Sequence, residues 1–200
     1  LYKIMKKQIV IATNNANKLK EFKSLFANTP YEVLSLADIN FTGVIKEDGE
    51  SFSDNAVIKA MTIHKLTNLP VIADDSGLSV NALEGFPGVN SARFMEGSPY
   101  TEKNAAIIKM LEGHSDKSAK FICAIALVGL DSFPQVFIGE VKGTIINEAR
   151  GEEGFGYDPI FFHPNSQKTF AEMTLEEKDE ISHRGRATAL LFEYLETHYF

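Results

Sequence analysis

The stretch Gln8-Ile9-Val10-Ile11-Ala12-Thr13-Asn14-Asn15-Ala16-Asn17-Lys18-Leu19-Lys20-Glu21-Phe22-Lys23-Ser24-Leu25-Phe26 decides the fold class. Gln8 to Thr13 is an apolar, β-branched run of strand length. From Asn17 to Asn28, Leu19, Phe22, Leu25 and Phe26 recur at helical spacing. The pattern then repeats. Tyr31 to Leu36 reads as a strand, Ser51 to Asn68 as a helix opened by a Ser51/Asp54 cap, and Pro70 to Asp75 as a strand ending in two aspartates. Ala82 to Pro99 is a loop punctuated by Gly and Pro, and Tyr100 to Gly113 is a helix stopped by Gly113. Lys117 to Gly129 and Gln135 to Asn147 are long β segments joined by the short link Gly129-Leu130-Asp131-Ser132-Phe133-Pro134, which predicts an antiparallel hairpin. Arg150 to Tyr157 is a Gly-rich loop, Pro159 to His163 a short strand, and Leu175 to Ile181 and His183 to Tyr199 are helices. Alternating elements of this kind predict an α/β fold around a mixed sheet, in one domain spanning residues 1–200. Met5 reads as a natural start, with residues 1–4 an upstream extension.

Composition narrows the function. The chain has 200 residues, 44% of them hydrophobic, and a net charge of −7. That length is enough to bury roughly 70% of the unfolded surface without disulfide or metal staples. The acidity argues against a nucleic-acid binder and against an anionic membrane as partner, while a small anion held by local cations stays open. The single cysteine, Cys123, excludes an intramolecular disulfide and a Cys-rich zinc site. It lies in the apolar run Phe121 to Val128 and reads as buried filler. No apolar stretch approaches the roughly 18 residues of a spanning helix, and a reducing cytoplasmic setting fits best.

Five segments carry candidate chemistry. Thr13, Asn14, Asn15, Ala16, Asn17 and Lys18 sit between a strand and a helix N-terminus, a place where free N–H groups suit phosphate, with Lys18 as a point charge. The alternative is an Asn-capped turn with a solvated lysine. Asp74-Asp75-Ser76-Gly77 follows a strand; hard carboxylate oxygens there suit Mg²⁺, and one aspartate would face the ligand while the other supports the backbone. Glu47 to Ser51 leads into a helix on which Asn55 and Lys59 share a face suited to phosphate, although acidic residues at such a place often only satisfy the helix dipole. In Gly154-Phe155-Gly156-Tyr157-Asp158, an aromatic ring between glycines is a stacking platform for a base. Finally, Lys178 precedes Ser182-His183-Arg184-Gly185-Arg186. Arg184 and Arg186 would sit in a first helical turn, where cations oppose the dipole. That broken rule points to a ligand supplying acceptors.

These segments, with Pro87-Gly88-Val89-Asn90-Ser91-Ala92-Arg93, occur together and in order from about Lys7 to Tyr194. In this the chain resembles the inosine triphosphate pyrophosphatase family, the dITP/XTP pyrophosphatases. The resemblance implies an elongated mixed β-sheet flanked by helices, with two lobes around a central substrate cleft, and a Mg²⁺-dependent homodimer. It implies hydrolysis of non-standard purine nucleoside triphosphates (ITP, dITP, XTP) to a monophosphate and pyrophosphate. Thr13 to Lys18 and Lys59 would hold the phosphates. Asp75 would bind metal and orient or deprotonate the attacking water, with Glu47 as the second metal carboxylate. Ser76 would touch the substrate. Phe155, Gly156, Tyr157, Asp158, Lys178, His183 and Arg184 would hold base and sugar. A general nucleoside triphosphate phosphatase and a non-catalytic nucleotide-binding regulator are the competing readings.

Overall fold

The computed structural model describes residues 6–200, and of Asn17 the backbone alone. The suggested extension at residues 1–4 and the start at Met5 lie outside the described residues, as does the Asn17 side chain read as a phosphate contact.

Seven strands form one mixed sheet in the order β2-β1-β3-β4-β5-β6-β7. They are β1 Lys7–Ile11, β2 Tyr31–Leu34, β3 Val71–Val80, β4 Ser118–Val128, β5 Gln135–Ile145, β6 Phe161–His163 and β7 Lys168–Thr169. β1 runs parallel to both β2 and β3, with Ile9 opposite Val33 and Ile11 opposite Ile72. At the other end of the order, β5/β6 and β6/β7 are antiparallel. The helices are α1 Ala16–Leu25, α2 Phe52–Thr67, α3 Tyr100–Met110, α4 Leu175–Ile181 and α5 His183–His198. This is the predicted α/β architecture. No helix among the described residues is long and apolar enough to cross a membrane.

One boundary differs in a way that matters. The sequence pattern predicts that β3 stops at Asp75, because Asp-Ser-Gly is turn chemistry. The strand runs on to Val80, with Leu78 and Val80 fully buried and Ser79 less so. That apolar alternation outweighs the local preference of Ser76 and Gly77 for a turn. Asp74 and Asp75 therefore lie inside a strand rather than at its end. β7 leaves no mark in the sequence pattern, because two residues are too short to show a period.

The chain forms two compact units. Unit 1 comprises the chain up to Asp75, Ala124–Phe137 and Ala189–Phe200. Its core joins Ile9, Val10 and Ile11 of β1 to Val71 and Ile72 of β3, with Ala56, Ala60 and Ile63 from α2. Phe26 packs edge-on against Tyr31, Phe192 and Phe200. α2 starts as expected, with Ser51 Oγ accepting the Asp54 N–H at 3.0 Å. It ends at Asn68, whose left-handed backbone lets its N–H reach the His64 carbonyl.

Unit 2 comprises Ser76–Cys123 and Ile138–Thr188. Its core gathers Leu78 and Val80 of β3, Ile107 and Leu111, Phe121 of β4, Val141 and Ile145 of β5, and Tyr157, Phe161 and Phe170. Phe121 stacks on Phe170 at 5.6 Å between centroids, and Phe161 meets both rings. Cys123 is fully buried in β4, as its apolar run implied.

Candidate active site

Unit 1 carries a cluster of alternating charge. Asn15 caps α1: its Oδ1 accepts the Lys18 N–H at 3.2 Å, and Thr13 Oγ1 accepts the Asn15 N–H at 3.1 Å. The cap fixes the first turn of α1 and with it the Lys18 stem. Lys18 Nζ then donates to Asp74 Oδ2 at 2.6 Å. Thr13 and Asn15 are partly buried, and Asn14 and Ala16 are exposed. Lys59 Nζ lies 2.7 Å from Glu47 Oε1 and 3.9 Å from Asp75 Oδ1. Three carboxylates, Glu47, Asp74 and Asp75, thus share two ammonium groups and leave one net negative charge.

The protonation balance follows from that packing. Burial favours neutral Lys59, but Asp74, Glu47 and Asp75 outweigh it and push its pKa up. Asp75 is strongly perturbed. Burial raises its pKa to about 6, Glu47 and Asp74 raise it too, and Lys59 and the Asn55 side chain act in the other direction. Asp75 Oδ2 is buried and has no hydrogen-bond partner. A carboxylate oxygen left in that state inside a polar cluster has a donor or a cation still to receive.

Asn55 takes a different place from the one its spacing suggested. It shares a helix face with Lys59 but is fully buried, and its Oδ1 accepts the Gly49 N–H at 2.8 Å. It clasps the segment that carries Glu47 to the start of α2 instead of meeting solvent as a phosphate ligand. Its side-chain amide also faces Asp75 and favours the ionised carboxylate. A Cβ on Gly49 would fall 2.6 Å from the Asp54 Cβ and 2.7 Å from Asn55 Oδ1, so the clasp requires glycine.

Among the described residues no group of three or more His, Cys, Asp or Glu side chains is arranged to hold a metal ion. Mg²⁺ does not need one. It binds through one or two carboxylates and keeps water and substrate oxygens for its remaining positions. The free Oδ2 of Asp75, with Glu47 reached through their shared lysine, fits that donor set.

Unit 2 carries an aromatic platform under cations. Of Phe155, Gly156, Tyr157 and Asp158, only Phe155 is exposed, at 52%. Asp158 Oδ2 accepts the Phe155 N–H at 2.9 Å and the Lys178 ammonium at 2.6 Å. Lys178 Nζ sits 4.9 Å from the centre of the Phe155 ring, and the Arg184 guanidinium carbon 5.7 Å from it. Gly154 has φ +73°, and a Cβ there would run into Asp158 Oδ2. Tyr157 is buried, and its hydroxyl donates to the Ser91 carbonyl at 2.6 Å.

The charged turn at the start of α5 also resolves. Ser182 Oγ accepts the Gly185 N–H at 3.0 Å and caps the helix. Arg184 is buried and its Nη2 donates to Ser76 Oγ at 3.3 Å. The His183 ring stacks on Phe121 at 4.8 Å with 15° between planes. Arg186 turns away and donates to the Glu140 carbonyl. Arg93 is exposed, with Nη2 near the Val89 carbonyl and Asn90 Oδ1. Unit 2 therefore gathers Ser76, Phe155, Asp158, Lys178 and Arg184 through direct contacts. The pairing of Asp74 with Lys18, of Asn55 with Gly49 and of Ser91 with Tyr157 emerges from the structure alone.

Known proteins resemble this chain over most of its length. Residues 9–194 match the model of the Ham1 family. The dITP/XTP pyrophosphatase of Bacillus subtilis is 44% identical over 197 residues, covering 96% of this chain and 99% of that protein. The dITP/XTP pyrophosphatase of Geobacter sulfurreducens is 42% identical over 191 residues, covering 94% and 96%. The structure of the Ham1 protein of Staphylococcus aureus superposes with a TM-score of 0.91 at 41% identity, covering 96% of this chain and 99% of the other. With a family match over nearly its whole length and relatives at this identity, the chain belongs to the Ham1 family.

Proposed function

We propose that this protein hydrolyses non-standard purine nucleoside triphosphates (ITP, dITP and XTP) to the monophosphate and pyrophosphate. The carrying observation is Asp75: a partly buried carboxylate with a raised pKa and one buried, unpartnered oxygen, beside Lys59 and Glu47. Relatives of this length and identity are named dITP/XTP pyrophosphatase, which supports the same substrate class here.

A triphosphate brings nearly four negative charges. Lys18 and Lys59 supply two cations to phosphate oxygens, with the α1 N-terminus adding its dipole. Asp75 and Glu47 would hold Mg²⁺, which when bound lowers the pKa of a coordinated water and screens phosphate charge. Asp75 Oδ2 accepts a hydrogen bond from the attacking water and orients it toward a phosphorus. Lys18 and Lys59 stabilise the pyrophosphate as negative charge builds on it. In unit 2, Phe155 stacks on the purine, while His183 and Arg184 donate to the carbonyl at its six-position. Adenine presents an amino group there, and buried donors facing a donor can cost a factor of ~10⁴ in a dry site.

The test is a substrate panel with Mg²⁺ and product identification. ITP and XTP should release pyrophosphate, with ATP much slower. Orthophosphate release would instead identify a general phosphatase. Calorimetric binding of ITP without turnover would identify a regulator. Gly49→Ala should cost roughly tenfold in turnover, because the added methyl pushes the Glu47 segment off α2. Unchanged turnover would remove that segment from the site. The same reading carries a homodimer and a cytoplasmic setting; light scattering and cell fractionation test these.

A further inference from the structure

The segment Pro87 to Arg93 has no role in the chemistry above, yet its centre is tied to the base platform. We propose that Ser91, Tyr157 and Asn104 form a brace that positions the Phe155 ring, so that this segment sets purine affinity without touching the purine. The inference rests on the reading of Phe155 as the stacking platform.

The platform needs a brace. Phe155 stands between Gly154 and Gly156, both at positive φ (+73° and +66°), so neither neighbour has a side chain to anchor it. Within the loop, the Phe155 N–H to Asp158 Oδ2 bond and the return bond from the Asp158 N–H to the Phe155 carbonyl hold its backbone. The remaining restraints come from outside. Asn104 Nδ2, on α3, donates to the Gly156 carbonyl at 3.1 Å. The Tyr157 hydroxyl donates to the Ser91 carbonyl at 2.6 Å. The Tyr157 ring meets Tyr100 edge-on, with centroids 5.4 Å apart.

Ser91 is itself fixed. Its Oγ accepts the Leu78 N–H at 2.9 Å and donates to the Gly88 carbonyl at 2.6 Å. Next to it, the Ala92 carbonyl accepts the Lys103 ammonium at 3.1 Å, and Lys103 lies over the Tyr100 ring. A continuous path therefore runs from Leu78 of β3 through Ser91 and Tyr157 to the platform, with α3 as a second support. Ser91, Asn104 and Tyr157 are all buried to 5% exposure or less, and the Tyr157 hydroxyl is already committed. They are positioning residues.

The test is a double-mutant cycle with Phe155→Ala. Tyr157→Phe removes one hydroxyl and keeps the ring against Tyr100. Asn104→Leu removes the second support at similar volume, and runs the same cycle should Tyr157→Phe not fold. Each is expected to raise KM for ITP about tenfold, in line with a lost buried hydrogen bond, and to leave inhibition by inorganic pyrophosphate unchanged, since it has no base. Either change added to Phe155→Ala should make KM no worse than Phe155→Ala alone. Full additivity, or equal weakening of ITP and pyrophosphate, overturns the brace while the platform stands. A Phe155→Ala variant with unchanged KM for ITP removes the platform and the brace with it. Should ITP bind without turnover, its dissociation constant by calorimetry replaces KM in the same cycle.

Discussion

Asp75→Asn is expected to lower kcat by about a thousandfold or more and, at the same time, to stabilise the metal-free protein. The first effect follows from geometry. Asn keeps the shape of Asp75 but replaces an acceptor oxygen with a donor and removes the charge. On the proposed reading, neither the metal nor the attacking water would then be held. The second follows from the raised pKa. The folded protein holds Asp75 with a pKa of about 6, against an ordinary 3.8. Between those values the native state binds the proton more tightly than the unfolded chain, so stability falls as pH rises through the window. Above about pH 6 the ionised carboxylate costs the metal-free fold about 1–3 kcal/mol. Asn removes that cost, and Lys59 keeps Glu47 as its partner. Thermal melts in chelator at pH 7.5 should show the variant higher by a few degrees, and melts near pH 4 should show the two proteins alike. A variant that is destabilised at pH 7.5, or that keeps its turnover, contradicts this account. Such a pairing, more stable and inactive, is what a site held under electrostatic tension for a cation predicts.

The sequence revealed much of this residue by residue and little of it pair by pair. The alternation of strands and helices follows from local periods, and the structure has the elements in the expected order. The exception, β3, shows the limit. Asp75-Ser76-Gly77 is locally a turn, and only the burial of Leu78 and Val80 against residues distant in sequence makes it strand. The candidate residues were legible as types: a lysine after a capped turn, two aspartates, an aromatic between glycines. Their partners were not. Lys18 meets Asp74 across 56 residues, and Arg184 meets Ser76 across 108. No local pattern encodes such pairings, because the sheet brings them together. Asn55 illustrates the opposite error. Helical spacing put it beside Lys59 correctly, but a shared helix face does not determine which residue turns inward, and Gly49 had claimed the amide oxygen.

Gly185→Ala is expected to destabilise the protein by about 2–4 kcal/mol, where the same change at an exposed helical site would gain up to about 1 kcal/mol. The residue lies in the first turn of α5, directly after α4, and a Cβ there would drive into the Asp179 carbonyl oxygen. That oxygen belongs to the backbone of α4 and cannot swing aside as a long side chain would. The Gly185 N–H is also the group that Ser182 caps, so moving it breaks the cap. Ser182→Ala isolates the cap alone, at about 1 kcal/mol, and the glycine change should exceed it. On the scale of a chain this size the melting temperature should fall by about 5–10 °C. Turnover should fall further than stability explains, because His183 and Arg184 immediately precede the displaced residue. His183 is held by its stack on Phe121, and Arg184 by Ser76 Oγ and the face of Phe155. A Gly185→Ala protein that melts at or above the wild-type temperature contradicts the close approach of the two helices. The glycine thus explains how a turn crowded with cations exists at all. α4 packs close enough to fix the first turn of α5 by contact, and the unfavourable charge placement is carried by that packing.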